Sequence, residues 1–331
     1  MKFSLIVCTY MRPKAIITLL NSVKEQTLYP NEIIIVDGSI NKDTQHLFLS
    51  KIFKNIRYFL IEEKHRGLTN QRNFGISKVA KDSEIVCFLD DDIVLEKDYF
   101  EKLLKTYIDK PEALAVCGYI TNEVKWSRSS NKKLKNKFIY DGWFRKEPFR
   151  FRIRKMLGLI DNTKPGFMPL AANGRYGNFL PPSGKTYEVE QMMGGITSYK
   201  KDIFKKISFS SYFEGYGLYE DSDFTLRLSK IGKIYINTNA KLAHYHAEEG
   251  RPNKFKYGKM VLRNGWYVWR IKYANPSFKS RIKWNATALL LTLIRATNIL
   301  TEPNKKEALT ETLGRISGWF SLLFNKPKIE H

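Results

Sequence analysis

The sequence predicts an α/β fold, a mixed and mostly parallel sheet flanked by helices, and three observations carry that expectation. Over residues 1–124, short apolar runs alternate with helix-forming stretches, the pattern of strand–helix–strand crossovers. Three of these runs end in polar chemistry: Thr9, Asp37, and the triplet Asp90, Asp91, Asp92. In open α/β sheets, ligands bind beyond the carboxyl ends of the strands. The net charge of +23 over 331 residues is also regional. Residues 125–160 sum to +10, residues 251–331 to +12, and the remaining 214 to +1. A balanced α/β core therefore carries two basic additions, rich in aromatics, of the kind that suit polyanions or an anionic membrane face.

The elements follow in order. "FSLIVCTY" reads as a first strand and not a signal peptide, because its apolar run is short and reaches Arg12 without a small-residue cleavage site. A helix from Lys14 to Gln26 leads to the strand "EIIIVDGS", and a helix near Thr44 to Lys51 leads to "IRYFLIEE". A helix from Thr69 to Ala80 precedes "EIVCFLDDD", and one from Asp98 to Tyr107 precedes "ALAVCGYI". Residues 125–185 form a basic insertion with a turn-rich end, expected as a long loop or small helical excursion. The α/β pattern resumes over 186–250, and 251–331 reads as a helical extension. Within it "ATALLLTLI" is too short to span a bilayer before Arg295 interrupts it, and reads as a core or interfacial helix. Cys8, Cys87 and Cys117 fall inside apolar runs without metal-ligand spacing, as buried thiols of a reducing cytosol do.

Three adjacent carboxylates repel one another and raise each other's pKa. A solvated acidic turn tolerates this, and so does a divalent cation held by hard oxygen ligands, Mg²⁺ or Mn²⁺. Side chains alternate along a strand, so Asp90 and Asp92 can face the same way while Asp91 faces another. That spacing makes a pincer for a nucleoside diphosphate, with one acid toward the sugar hydroxyls and the other toward the metal.

The ordered segments "LIVCTYMRP", "EIIIVDGS", "GLTNQRNFGISKVA", "FLDDDIVL", "MMGGITSYKKDIF", "YEDSDFTLRL" and "LAHYH" resemble the inverting GT-A glycosyltransferases of the bacterial family 2 type, across roughly residues 1–124 and 186–270. The resemblance implies that 1–124 is a nucleotide-sugar-binding half and 186–250 the acceptor and catalytic half of one GT-A domain. Thr9 and Asp37 would line the nucleobase pocket, although many relatives carry paired acids where this chain has Asp37 alone. Arg72 would lie near the nucleotide, Asp90 would meet ribose or metal, and Asp92 would bind the metal. Asp221 would be the general base, with Glu220 and Asp223 orienting the acceptor or the helix start. The same segment also fits an ordinary helix start capped by Asp221 or Ser222. Gly194 and Gly195 would let backbone approach the sugar or acceptor. His244 would complete the metal site, with His246 a lesser candidate.

The expected activity is metal-dependent, inverting transfer from a nucleoside-diphosphate sugar, a UDP-sugar foremost, to a glycan or lipid-linked saccharide. The chain lacks a Q-x-x-R-W motif and spanning helices, so transfer is expected to be non-processive. Trp266, Tyr267, Trp269 and Trp284 interleave with Arg270, Lys272, Arg281 and Lys283, a composition expected at the headgroup boundary of an anionic membrane on its cytoplasmic face. Part of these aromatics would pack a helical core. Two alternatives stay open: a nucleotidyltransferase of similar architecture, and a non-catalytic basic protein that binds nucleic acid, which is not the expected partner.

Overall fold

The computed structural model describes residues 1–49, 53–128, 136–246, 252–301 and 303–329. In chain order the first elements are β1 (Phe3–Thr9), α1 (Pro13–Lys24), β2 (Glu32–Asp37), α2 (Asp43–Leu49), β3 (Ile56–Leu60), α3 (Leu68–Ser77), β4 (Ile85–Asp90), β5 (Ile93–Leu95), α4 (Tyr99–Asp109) and β6 (Ala113–Ile120). There follow β7 (Ser127–Arg128), β8 (Lys137–Tyr140), β9 (Trp143–Lys146), α5 (Phe149–Met156), β10 (Thr186–Val189), β11 (Ile196–Lys200), α6 (Glu220–Ser229) and β12 (Lys233–His244). The chain closes with α7 (Lys254–Lys272), α8 (Phe278–Thr301) and α9 (Lys305–Phe324). Of the helix expected near Thr44 to Lys51, residues 50 and 51 lie outside the described residues, as does the expected boundary at 250/251.

Two compact units result, one of residues 1–126 and 176–250, the other of 127–175 and 251–331. The first is built on a nine-stranded sheet in the order β10-β12-β6-β11-β4-β1-β2-β3, with β5 paired to β12. The pairs β1–β2, β1–β4, β2–β3 and β6–β12 are parallel, whereas β11 runs antiparallel between β4 and β6. This is the mixed, mostly parallel α/β sheet that the sequence predicts. Every residue of β2 is buried, as an apolar run covered on both faces by helices must be. Helix α4 buries Phe100, Leu103, Leu104 and Tyr107, a stripe at the 3.6-residue period. Cys8, Cys87 and Cys117 are free thiols, Cys87 and Cys117 buried as expected and Cys8, near the end of β1, half-buried instead; loss of hydration pushes the Cys8 and Cys117 thiols up to about 12.

The second unit departs from expectation twice. The insertion, expected as a loop or helical excursion, holds a three-stranded antiparallel sheet, β7-β9-β8, followed by α5. Asp141 and Gly142, at φ 49° and 77°, turn β8 into β9 with Tyr140 opposite Trp143. An Asp-Gly pair between apolar runs is the signal of such a two-residue hairpin. The aromatics expected at a lipid headgroup boundary are also mostly interior. Tyr267, Trp269 and Trp284 are buried, the two indoles stack at 5.6 Å, and Trp269 Nε1 donates to the Leu170 carbonyl at 3.0 Å. Only Trp266 is half-buried, with Arg270 over its ring. These rings pack the unit's core because α7 and α8 turn them toward each other. Among the described residues, no helix is long and apolar enough to cross a membrane.

Candidate active site

The site lies at the carboxyl ends of β1, β2 and β4. Parallel pairing places Asp90 beside Cys8 and Thr9 beside Asp37, so polar residues distant in sequence meet at one sheet edge. Asp91 turns inward and is 3% exposed. It accepts from Thr9 Oγ1 at 2.7 Å and from Arg12 Nη1 at 3.0 Å. Burial pushes its carboxyl up to about 6 against the pull of Arg12 and Thr9. Thr9 and Asp37, expected to line a nucleobase pocket, are both covered. Thr9 holds Asp91, and Asp37 accepts from the Tyr58 hydroxyl at 2.5 Å and from the Ser39 N–H at 2.8 Å.

Asp92 lies between Arg12, whose Nη1 is 3.8 Å from Oδ2, and β12. Antiparallel pairing of β5 with β12 sets His244 opposite Ile93, and the Tyr245 N–H donates to the Asp92 carbonyl at 3.0 Å. His244 Nε2 thereby comes within 3.1 Å of Asp92 Oδ1. Ligand atoms of Asp90, Asp92 and His244 all lie within 4.8 Å of one another. Two carboxylates and one imidazole converging in this way fit Mn²⁺ or Mg²⁺, with the nitrogen donor favouring Mn²⁺. His244 Nδ1 is 3.1 Å from Glu123 Oε1, the oxygen that also meets His246 Nε2 at 3.0 Å. Burial disfavours the charged His244 ring, yet its bonds to Asp92 and Glu123 hold its pKa up at about 10.

Residues 186–250, expected as the acceptor and catalytic half, reach this edge through β11 and α6. The Asp90 N–H donates to the Gly195 carbonyl at 2.9 Å. Arg72 of α3 is buried between Asp90 and α6, with Nη1 2.5 Å from Glu220 Oε1 and Nη2 3.6 Å from Asp90 Oδ1. Its guanidinium also lies over the rings of Phe88 and Phe209. Glu220, expected among the acceptor-binding residues, is instead 5% exposed and committed to Arg72. Burial pushes its carboxyl pKa up, with the neighbouring charges of Asp221 and Asp90, against the pull of Arg72. Tyr219, in the left-handed region at φ 72°, occupies the N-cap, so neither Asp221 nor Ser222 caps α6. Asp221 Oδ1 accepts from the Ser222 N–H at 2.7 Å and Oδ2 from the Gly194 N–H at 3.3 Å. Burial pushes the Asp221 pKa up, against those two bonds. Asp223 is buried in an ion pair with Arg227 one turn on.

The structure thus brings Asp90, Asp92 and His244 together and sets Asp221 across the Gly194–Gly195 backbone from them, while Thr9, Asp37, Arg72, Glu220 and Asp223 are buried against protein partners. Sequence reading missed Arg12 and Glu123. Arg12 lies just past the first strand, where a cation facing the acidic triplet is a foreseeable need. Nothing in the local sequence marks Glu123, which is defined by its distances to His244 and His246.

The chain matches the family described as glycosyl transferase family 2 over residues 4–207, more than half its length, and it belongs to that family. Residues 174–249 match a second family described as the N-terminal domain of galactosyltransferase. Similar proteins include the O-antigen chain rhamnosyltransferase RfbN of Salmonella typhimurium, 32% identical over 36% of this chain and 37% of that protein. Another is the glucosyl-dolichyl phosphate glucuronosyltransferase of Haloferax volcanii, 32% identical over 36% of this chain and 38% of that one. The matches therefore span little more than a third of those relatives. Among solved structures, GalNAc-T7 crystallised with UDP, GalNAc and Mn²⁺ superposes with a TM-score of 0.50 at 15% identity, covering 78% of this chain and 47% of that one. The sheet described above is a GT-A fold.

Proposed function

We propose that the protein transfers a sugar from a nucleoside-diphosphate donor, with UDP the foremost carrier, to a hydroxyl of a glycan or lipid-linked saccharide, inverting the anomeric centre without processive extension. The route is cell-surface polysaccharide or glycolipid synthesis at the inner face of the cytoplasmic membrane. The observation that carries this reading is the convergence of Asp90, Asp92 and His244 within 4.8 Å, across the Gly194–Gly195 backbone from Asp221.

In this reading Asp92, Asp90 and His244 hold Mn²⁺ or Mg²⁺. When bound, the cation supplies neutralisation of the diphosphate leaving group. Asp90 also meets the ribose. Thr9 and Asp37 act from behind the nucleotide, Thr9 by steadying Asp91 and Asp37 by fixing Tyr58. Asp221 takes the proton of the acceptor hydroxyl as its oxygen bonds to the anomeric carbon, and the carbon–diphosphate bond breaks on the opposite face. Burial makes Asp221 a stronger base than a solvated carboxylate. Arg72 holds Asp90 and Glu220 in place, so the donor acid and the base helix keep a fixed separation.

Thermal unfolding with UDP, GDP, dTDP or CMP, each with and without Mn²⁺ or Mg²⁺, tests this reading on the wild type and on Asp92→Asn. A ligand at a hundredfold its Kd adds about 2.7 kcal/mol. The expected result is stabilisation by one diphosphate, only with metal, and its loss in Asp92→Asn. Equal stabilisation of both proteins, or none, overturns it. Release of pyrophosphate instead of a nucleoside diphosphate would assign nucleotidyl transfer.

A further inference from the structure

Helices α8 and α9 are packed inside out. Their buried positions include Thr287 and Thr292 on α8, and Ala308, Thr312, Gly314 and Gly318 on α9. The glycines permit backbone contact, since a Cβ at Gly314 would fall 2.1 Å from the Phe255 carbonyl oxygen of α7, and one at Gly258 would fall 2.2 Å from that of Glu311. Trp284 and Leu322 are buried with them, but many of the large apolar side chains point outward. On α9, Leu309, Leu313, Ile316, Phe320 and Leu323 are exposed, recurring at intervals of four and three as one continuous stripe. On α8, Ile282, Leu289, Leu293 and Leu300 are exposed at intervals of seven and four. The two helices are tied side by side, with Trp319 Nε1 donating to Asn285 Oδ1 at 2.9 Å and Arg315 Nη1 to the Leu291 carbonyl at 3.2 Å. Small residues between helices and large apolar residues outward is the arrangement that an apolar surrounding selects, and a water-facing surface of this kind marks an interaction site.

The charges select the occupant. Among the described residues of α8 and α9 the acids are Glu307 and Glu311. Glu307 pairs with Lys254 at 3.1 Å, and Glu311 is buried between Arg295 and Arg315. Exposed Lys305 and Lys306 open α9, exposed Lys326 and Lys328 follow it, and exposed Lys279 and Arg281 lie in the first turn of α8. An apolar stripe bracketed by cations, whose acids among the described residues are each paired with a cation, is complementary to an anionic bilayer. A second copy of the same face would bring like charges together at both ends.

We propose that the outer faces of α8 and α9 form a lipid-docking surface that sinks into the headgroup–acyl boundary of an anionic membrane. This deepens the membrane attachment proposed above and replaces the buried tryptophans as its agent. Its test reads lipid binding and not catalysis, so each proposal can fail alone.

The experiment is flotation of the full chain with phosphatidylcholine vesicles, alone or with about one third phosphatidylglycerol. Wild type is compared with Ile316→Glu/Phe320→Glu and the milder Ile316→Ser/Phe320→Ser, each checked for folding by circular dichroism and for mass by light scattering. The expected result is binding to the anionic vesicles by the wild type, a loss of about tenfold or more in the Glu variant, and a smaller loss in the Ser variant. Equal flotation of wild type and both folded variants overturns the proposal. So does a wild type that ignores vesicles and runs as a dimer which the Glu variant splits, an outcome that assigns the face to a second copy.

Discussion

Gly195 and Asp90 approach so closely that a Cβ on Gly195 would fall 1.9 Å from the Asp90 carboxylate Oδ2, while one on Gly194 would fall 2.7 Å from Arg72 Nη1. The glycine pair is where the chain leading into β11 lets Asp90 of β4 and the first turn of α6 share one small space. No flexible side-chain tip can yield here without moving a residue of the site.

Gly195→Ala is therefore expected to displace Asp90 and not merely to crowd it. Overpacking of this kind costs about 1–3 kcal/mol of stability. The loss of metal affinity should exceed what that destabilisation explains. Mn²⁺ titration by electron paramagnetic resonance on the folded variant checks this, and unchanged affinity would show that Asp90 is not a ligand.

The buried Arg72–Glu220 pair predicts strong non-additivity. Arg72→Met strands Glu220 and is expected to cost about 3–5 kcal/mol in urea unfolding. Arg72→Met/Glu220→Met should recover much of that stability, because both buried charges are gone, while activity stays lost as Asp90 loses its anchor. Simple addition of the two single effects would refute the coupling.

For Asp221, burial raises the pKa, and a base works only when ionised. The acidic limb of kcat/KM against pH should therefore lie above the ordinary carboxylate range near pH 4. Asp221→Asn should lower kcat by about 10²–10⁴ with donor binding intact. A folded pKa above the unfolded one means that ionisation disfavours the native state as pH rises. The Asn variant should then match or exceed wild-type stability at neutral pH, and a large stability loss would mark the residue as structural.

Glu123 offers a separate test through His244. The pKa of His244 stands at about 10, above its ordinary 6.5. The stability it contributes to the metal-free protein is complete below about pH 6.5 and is lost as pH rises toward 10. A metal must displace that proton, so Mn²⁺ affinity should rise across the same window. Glu123→Gln weakens the orienting bond to Nδ1 and is expected to cost about 10–100-fold in Mn²⁺ affinity. It should also flatten the alkaline fall in stability. An affinity equal to wild type would leave Glu123 a surface acid.

Much of this molecule is legible from local pattern. The apolar runs at Phe3–Thr9, Glu32–Asp37 and Ile85–Asp90 announce buried strands, and buried parallel strands deliver their carboxyl ends to one edge. Thr9, Asp37 and the acidic triplet are thus grouped by the sequence pattern itself. The Asp-Gly hairpin at 141–142 was equally readable and went unread.

By itself the sequence determined the strand–helix alternation and the edge on which the acids gather, which follow from side-chain periodicity and short-range order. The family resemblance rests instead on the order of its motifs. The resemblance already implied that His244 joins Asp92; tertiary structure showed that β5 and β12 bring them together, and it alone decided that Arg72 closes on Glu220 and that Glu123 backs His244. It also decided that Trp269 and Trp284 face inward while Leu313 and Ile316 face out. Which face of a helix is interior depends on what packs against it, and contacts between residues more than a hundred positions apart leave no trace in local spacing.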